Sequence, residues 1–223
     1  MQPSTTKDGI DTAFGVNHLG HFLLVHLLSE ALNAGGRLIF VSSGTHLLDK
    51  KLARRLGVPE PNYTTAQNLA FPETAPENDR IESLPQRYST SKLCNVLATY
   101  EFARQFEAAR KPIGVFAIDP GLMPGTELVR DAPNFLKPIF AGAVRVMGYW
   151  NDGIREPTLS GQHLARLVTD STLDGRSALY FDGDKEEKSS ADSYDKMKAI
   201  DLWNTSAELC KLSSMETILP TAI

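Results

Sequence analysis

From about Asp11 to Asn33 the apolar residues Phe14, Val16, Leu19, Phe22, Leu23, Leu27 and Leu28 return at helical spacing. The pattern predicts an amphipathic helix, which Asn33 and the pair Gly35–Gly36 stop. "RLIFVSS" follows, a short apolar run that reads as a buried parallel strand. Residues 44–86 are polar and proline-rich, with no sustained period. They are too long for an ordinary connection and read as an insertion, an elaborated loop or lid. From Tyr88 to about Arg110 a second helix is predicted, its apolar face built from Leu93, Val96, Leu97, Tyr100, Phe102, Ala103 and Phe106. "IGVFAID" is the next strand, closed by Pro120–Gly121. Residues 125–170 are expected to carry two or three helices separated by Pro138 and Pro157. "SALYF" is a last short strand, and Asp195 to Leu212 a final amphipathic helix. This alternation predicts an α/β fold, a parallel sheet with helical crossovers.

A doubly wound sheet normally begins with a strand and a Gly-rich turn, where backbone N–H groups meet phosphate. This chain begins with "MQPSTTKDG" and a helix, and "NAGGR" at 33–37 precedes a strand instead of following one. The expectation is a single domain over residues 1–223, the C-terminal part of a doubly wound parallel-sheet (Rossmann) domain with its N-terminal portion truncated.

Composition narrows the classes of partner. With 42% hydrophobic and 22% charged residues the chain has ordinary globular character rather than disorder. A net charge of −4 argues against nucleic acid and anionic membrane as partners. The cluster Lys50, Lys51, Arg54 and Arg55 follows Asp49 and reads as a solvated face. Cys94 and Cys210 supply neither a disulfide framework nor metal-ligand spacing, so a reducing compartment is expected. The longest apolar run, "FLLVHLL", is too short to span a bilayer, and the first residues lack the order of a signal peptide. A soluble, cytoplasmic chain is the expectation. His18 and His21 lie three apart on a predicted helix, which can fit a metal, but no third ligand is in sight and no metal is expected.

Two Tyr-x-x-x-Lys pairs occur, Tyr88–Lys92 in "RYSTSKLCNVL" and Tyr194–Lys198 in "SYDKMK". Either spacing puts both side chains on one helical face. Position separates them. In a parallel sheet, functional groups gather beyond the carboxyl ends of the strands. Ser42 and Ser43 end one strand, Pro120–Gly121 ends the next, and Tyr88 opens the helix between them. Tyr194 follows the last strand in a run rich in Asp, Glu, Lys and Ser, with no strand end to converge on. The expected functional pair is Tyr88–Lys92.

"FGVNHLGHF", "RLIFVSS", "YSTSK" and "DPG", in this order and on these elements, resemble the short-chain dehydrogenase/reductases across essentially the whole chain. Within that superfamily "DGIDTAFGVNHLGHFLL", "SKLCNVL" and "SYDKMKAIDLWNTSAEL" look most like the branch of retinol dehydrogenase-like enzymes and protochlorophyllide reductases. The resemblance implies a catalytic set of Asn17, Ser43, Tyr88 and Lys92. Ser42 is the rival of Ser43, and the family pattern favours the second serine. Tyr88 would be the acid/base; its phenol has an ordinary pKa of about 10, and Lys92 with an oxidised nicotinamide would lower it. Ser43 would polarise the substrate oxygen. The Asn17 position would bend its helix and hold a water linking Lys92 to solvent. Tyr88, Lys92, Pro120, Gly121, Leu122, Met123 and Thr126 would meet the cofactor. The branch implies NADP, with NAD open.

Some residues depart from the pattern. Where the family has a Thr after its Pro-Gly pair, this chain has Gly125, and Thr126 comes one later. "YSTSK" lacks the charged residue that protochlorophyllide-reducing enzymes carry after the tyrosine. Cys94 falls where those enzymes have a cysteine near substrate, and equally reads as a small core residue. The implied function is hydride transfer between NADP(H) and a small hydrophobic alcohol, aldehyde or ketone, with a homodimer as the assembly to test. The alternatives are an inactive fragment that acts as a binding module, and a double-bond reduction like that of protochlorophyllide.

Overall fold

The first helix is held by a ladder of rings. Phe14, His18, Phe22 and His26 recur every fourth residue, with successive ring centroids 5.1, 5.9 and 4.5 Å apart, the spacing at which side chains on one helix meet. In the computed structural model, which describes residues 4–47, 53–54, 57–123, 142 and 152–223, this segment is α1 (Thr12–Phe14), a π-helical turn (Gly15–Leu19) and α2 (Gly20–Leu28). Asp11 caps it, its side chain accepting from the Phe14 N–H at 3.0 Å.

Two sequence expectations are corrected here. The helix ends at Leu28 rather than at Asn33, because the Lys111 ammonium takes the carbonyls of Ser29 and Glu30, each at 2.6 Å. The apolar face is also different. Val16, Leu27 and Leu28 are exposed while His18 and His26 are buried, because the extra residue of the π turn rotates the stripe that faces the core.

The sheet has the order β1 (Arg37–Val41), β2 (Gly114–Asp119), β3 (Leu179–Asp182), β4 (Lys185–Glu187). β1, β2 and β3 are parallel, as the alternation predicts. β4 is an antiparallel hairpin partner of β3 that the sequence reading missed; its all-charged "KEE" is exposed and carries no apolar period.

Helix α4 (Leu84–Ala108) fills the space behind the sheet. It starts one turn before Tyr88, where the helix was expected to open, because Pro85 suits the first helical turn. All seven residues of its predicted apolar face are buried. Val115 and Phe40 pack on Phe102 and Phe106 on this side, while Phe116, Ile118 and Phe181 pack on Leu167 of α5 (Pro157–Thr169) on the other. The strands are therefore apolar on both faces, as parallel strands between helical layers must be. The final helix α6 (Lys196–Leu209) lays Trp203 edge-on to Phe22, ring centroids 5.1 Å apart. The remaining helices expected between residues 125 and 156 lie outside the described residues, apart from a few isolated positions.

Within 44–86, the later half packs inward. Tyr63, Ala66, Leu69, Ala70 and Ile81, several of them in or beside α3 (Ala66–Ala70), join Phe14, Leu93 and Leu202 in one cluster. Arg87 locks it from the polar side. Its guanidinium meets Asp11 at 2.9 Å with both side chains buried, and donates to the Ile81 carbonyl at 2.7 Å. Removing one member of such a pair costs about 3–5 kcal/mol. That bond joins the start of α1, the end of the long loop and the turn of α4 that presents Tyr88.

Candidate active site

The carboxyl ends of β1, β2 and β3 lie at one edge, in the register Val41↔Ile118 and Asp119↔Asp182. Beyond β1 the chain stays tied to the sheet through Ser42, whose N–H donates to the Ile118 carbonyl at 2.8 Å. The Ser42 hydroxyl is buried and donates to the Lys92 carbonyl at 2.9 Å. Ser42 therefore fastens the strand to α4. Ser43 turns the other way. Extended in backbone (φ −162°, ψ 147°), it caps the short 3₁₀ turn Gly44–His46, and its side chain lies beside the Tyr88 phenol, where it favours the phenolate. Between the two rival serines, geometry brings the second to the tyrosine.

Lys92, one helical turn on, places its Nζ over the Tyr88 ring, 5.5 Å from the centroid, within cation–π reach. That Nζ donates to the Val41 carbonyl at 3.1 Å, and Asn95 Nδ2 donates to the same carbonyl at 3.1 Å. Asn95 did not stand out in the sequence; its only signal is falling three residues after Lys92 on the same helix. Burial pushes the Tyr88 phenol above its ordinary range; the Ser43 side chain opposes that and the Asp119 charge adds to it. Lys92 is pushed down by burial and held up by Asp119. Desolvation is the larger effect, and the ammonium lies over the ring rather than at the hydroxyl.

Asn17 sits inside the π turn, so the helix is distorted at that residue. Its Nδ2 donates to Ser91 Oγ at 3.0 Å, and Ser91 Oγ donates to the Tyr88 carbonyl at 2.7 Å. Asn17 thus reaches the tyrosine's own backbone through a serine that sequence reasoning passed over. The loop after β2 holds Pro120, Gly121, Leu122 and Met123, all half-buried at the same edge. Gly121 has φ +84°, a conformation that favours glycine. Thr126 lies outside the described residues. A phenol, a hydroxyl and an ammonium converging at a half-open strand edge fit the carbonyl oxygen of a substrate and the ribose hydroxyls of a nicotinamide nucleoside.

The other features separate from this edge. Tyr194 is exposed and stacks on Tyr100 with centroids 5.1 Å apart, while Lys198 pairs with Asp192 at 2.8 Å. Cys94 is fully buried in the core cluster, where burial pushes its thiol up. His18 is buried with Nε2 2.9 Å from Ser206 Oγ, whereas His21 is exposed and its Nδ1 lies 3.2 Å from the Asn17 carbonyl.

No family model matches the chain. Individual relatives do. Retinol dehydrogenase 13 of Homo sapiens is 31% identical over 94% of this chain and 57% of its own length. Protochlorophyllide reductase of Avena sativa is 30% identical over 95% of this chain and 70% of its own length. The chain spans little more than half the length of several curated relatives it matches, the human enzyme among them. Among solved structures, an uncharacterized protein from Mycobacterium Paratuberculosis shares the fold with a TM-score of 0.60, at 24% identity, over 99% of this chain and 64% of that one. Among the described residues, no helix is long and apolar enough to cross a membrane.

Proposed function

This chain belongs to the short-chain dehydrogenase/reductase superfamily, and from that premise we propose that it interconverts a small hydrophobic alcohol with its aldehyde or ketone, using NADP(H), with Tyr88 as acid/base. The observation that carries this reading is the convergence of Ser43 and Lys92 on Tyr88, at the strand edge where such sheets bind ligands.

When bound, the reduced nicotinamide supplies the hydride to the carbonyl carbon. The protein's part is at the oxygen. Ser43 Oγ donates to that oxygen as negative charge develops on it, which lowers the barrier where charge appears. The Tyr88 phenol, kept in its acid form by burial, delivers the proton. Lys92 Nζ keeps a positive charge over the ring that must become phenolate, and would hold the ribose hydroxyls of a bound cofactor. Asn17 acts through Ser91 on the Tyr88 backbone, so its role is to position the phenol. The identity shared with human retinol dehydrogenase 13 supports a hydrophobic substrate. Residues 44–86 leave the edge at Ser43 and return just before Tyr88. Ser89 Oγ donates to the Pro59 carbonyl and the Asn62 N–H donates to Thr90 Oγ1, each at 2.9 Å, which ties residues 59–62 to the turn of α4 beside Tyr88 and supports a role for this part of the segment at the mouth of the site.

A second reading, reduction of a carbon–carbon double bond, draws on the likeness to the oat protochlorophyllide reductase. The burial of Cys94 in the core weighs against it. A third, a binding module without turnover, is weakened by the intact set Asn17, Ser43, Tyr88 and Lys92.

The test is NADPH oxidation by the purified protein against a panel of hydrophobic aldehydes and ketones, with Tyr88→Phe as control. Turnover that Tyr88→Phe abolishes supports the reading. No turnover with any carbonyl, or turnover indifferent to that substitution, overturns it.

A further inference from the structure

We propose that Arg155 is the positioning residue for the nicotinamide end of the cofactor, because it holds the loop Asp119–Leu122 in one shape. The inference rests on the oxidoreductase reading above and adds to it a residue that no sequence motif marks.

The Arg155 side chain is 9% exposed and lies between the ends of β2 and β3. Its Nη1 donates to the Asp119 carbonyl at 3.2 Å and its Nη2 to Asp182 Oδ1 at 2.6 Å. Its own backbone N–H donates to the Leu122 carbonyl at 3.0 Å, while the Leu122 N–H donates to the Gly153 carbonyl at 2.8 Å. Ser160 Oγ, from the first turn of α5, takes the Pro120 carbonyl at 2.7 Å. The Gly121 N–H turns back onto Asp119 Oδ1 at 2.9 Å. The loop's polar groups are thus held from residues 153–160, so its shape is set before any ligand arrives, which is how a binding loop avoids an ordering cost.

Two glycines make room for the guanidinium. A Cβ on Gly121 would stand 2.9 Å from Arg155 Nη1, and one on Gly183 would stand 2.9 Å from Arg155 Cζ. Both residues have positive φ, +84° and +64°. One ends the turn after β2 and the other the turn after β3, so two strand ends are shaped around a single side chain. A planar fork can bridge a carbonyl and a carboxylate together; a lysine ammonium cannot take both positions.

A loosened loop would let a nicotinamide ring held there shift or turn over, whereas any contact to the rest of the dinucleotide lies away from this loop. The experiment compares the wild-type protein with Arg155→Lys, which retains the charge, and with Ser160→Ala, which frees the same loop at a different carbonyl. Melting temperatures establish that each variant is folded. Affinities for NADPH and for 2′,5′-ADP, which has no nicotinamide, are measured by calorimetry. NADPH deuterated separately at each C4 position reports which hydrogen is transferred. In Arg155→Lys we expect kcat to fall by about a hundredfold, the cost of a small misplacement at the reacting centre. NADPH affinity should drop while 2′,5′-ADP affinity holds, and label from the normally retained face should appear in product. Ser160→Ala should show the same signature, more weakly. Parallel loss of both affinities with an unchanged hydride face would mean a structural role only and would overturn the inference, as would a wild-type protein that binds NADPH no better than 2′,5′-ADP. A wild type that binds NADPH with a clear nicotinamide contribution but reduces no carbonyl would sink the activity reading and leave the loop result to stand on binding alone.

Discussion

Lys92 reaches over the face of Tyr88 rather than toward its hydroxyl, with Nζ 5.5 Å from the ring centroid. The Val41 carbonyl holds it there at 3.1 Å. The hydroxyl is left to Ser43. Charge support and proton delivery therefore come to the tyrosine from different directions, and the residues involved can be tested separately.

Tyr88→Phe keeps the ring under Lys92 and removes the transferable proton. Hydride transfer is expected to be abolished, with NADPH affinity changed by no more than a factor of about three. Tyr194→Phe, on the exposed stack with Tyr100, should leave turnover unchanged. Steady-state kinetics on both variants check this; activity that survives the first and dies with the second would identify Tyr194 as the acid.

The two serines should separate cleanly. Ser43→Ala removes the donor to the developing oxyanion and is expected to lower kcat by about 10²–10³. Ser42→Ala breaks its 2.9 Å bond to the Lys92 carbonyl and should cost about 1 kcal/mol of stability with much less loss of rate. Reversed outcomes in paired kinetic and melting measurements would exchange the two roles.

Carbonyl reduction needs Tyr88 and Lys92 protonated, and the Asp119 carboxylate raises both of their pKa values. The reductive rate should therefore be flat through neutral pH and fall on the alkaline side. Asp119→Asn removes that charge, lowers both values and moves the alkaline limb to lower pH. A pH–rate profile of the variant that shifts upward, or stays put, contradicts the assignment.

His18 and His26 are buried on the ring ladder, and burial pulls their pKa values from 6.5 down to about 3 and about 4. The folded state binds fewer protons than the unfolded chain between these values. Their stabilising contribution is thus complete above 6.5 and drains away as pH falls toward 4 and then 3. Melting temperatures should drop progressively across that interval, and His26→Gln, which cannot titrate, should flatten the slope. A melting temperature that does not change over the interval would mean that both imidazoles titrate normally in the fold.

Much of this architecture was legible in the residues themselves. The seven apolar positions of α4 and the runs "RLIFV" and "GVFAI" announce their elements because helix and strand periods are local properties, set within a turn or two of chain. Tyr88–Lys92 could be preferred to Tyr194–Lys198 for the same reason, since strand ends and turns are readable in order. Residues whose meaning depends on distant chain were not legible. The exposure of Val16, Leu27 and Leu28 follows from a π turn that rotates the helix on its neighbours. Ser42 and Ser43 are adjacent and chemically identical; only the packing of β1 against α4 sends one to the Lys92 carbonyl and the other to the phenol. Ser91 lies inside "YSTSK" with nothing to single it out and Arg155 belongs to no motif, and each acquires its role from a partner 30 residues or more away in the chain, Asn17 for the first and Asp119 for the second. A hydrogen bond across such a separation leaves no periodic trace, so only the tertiary structure could decide it.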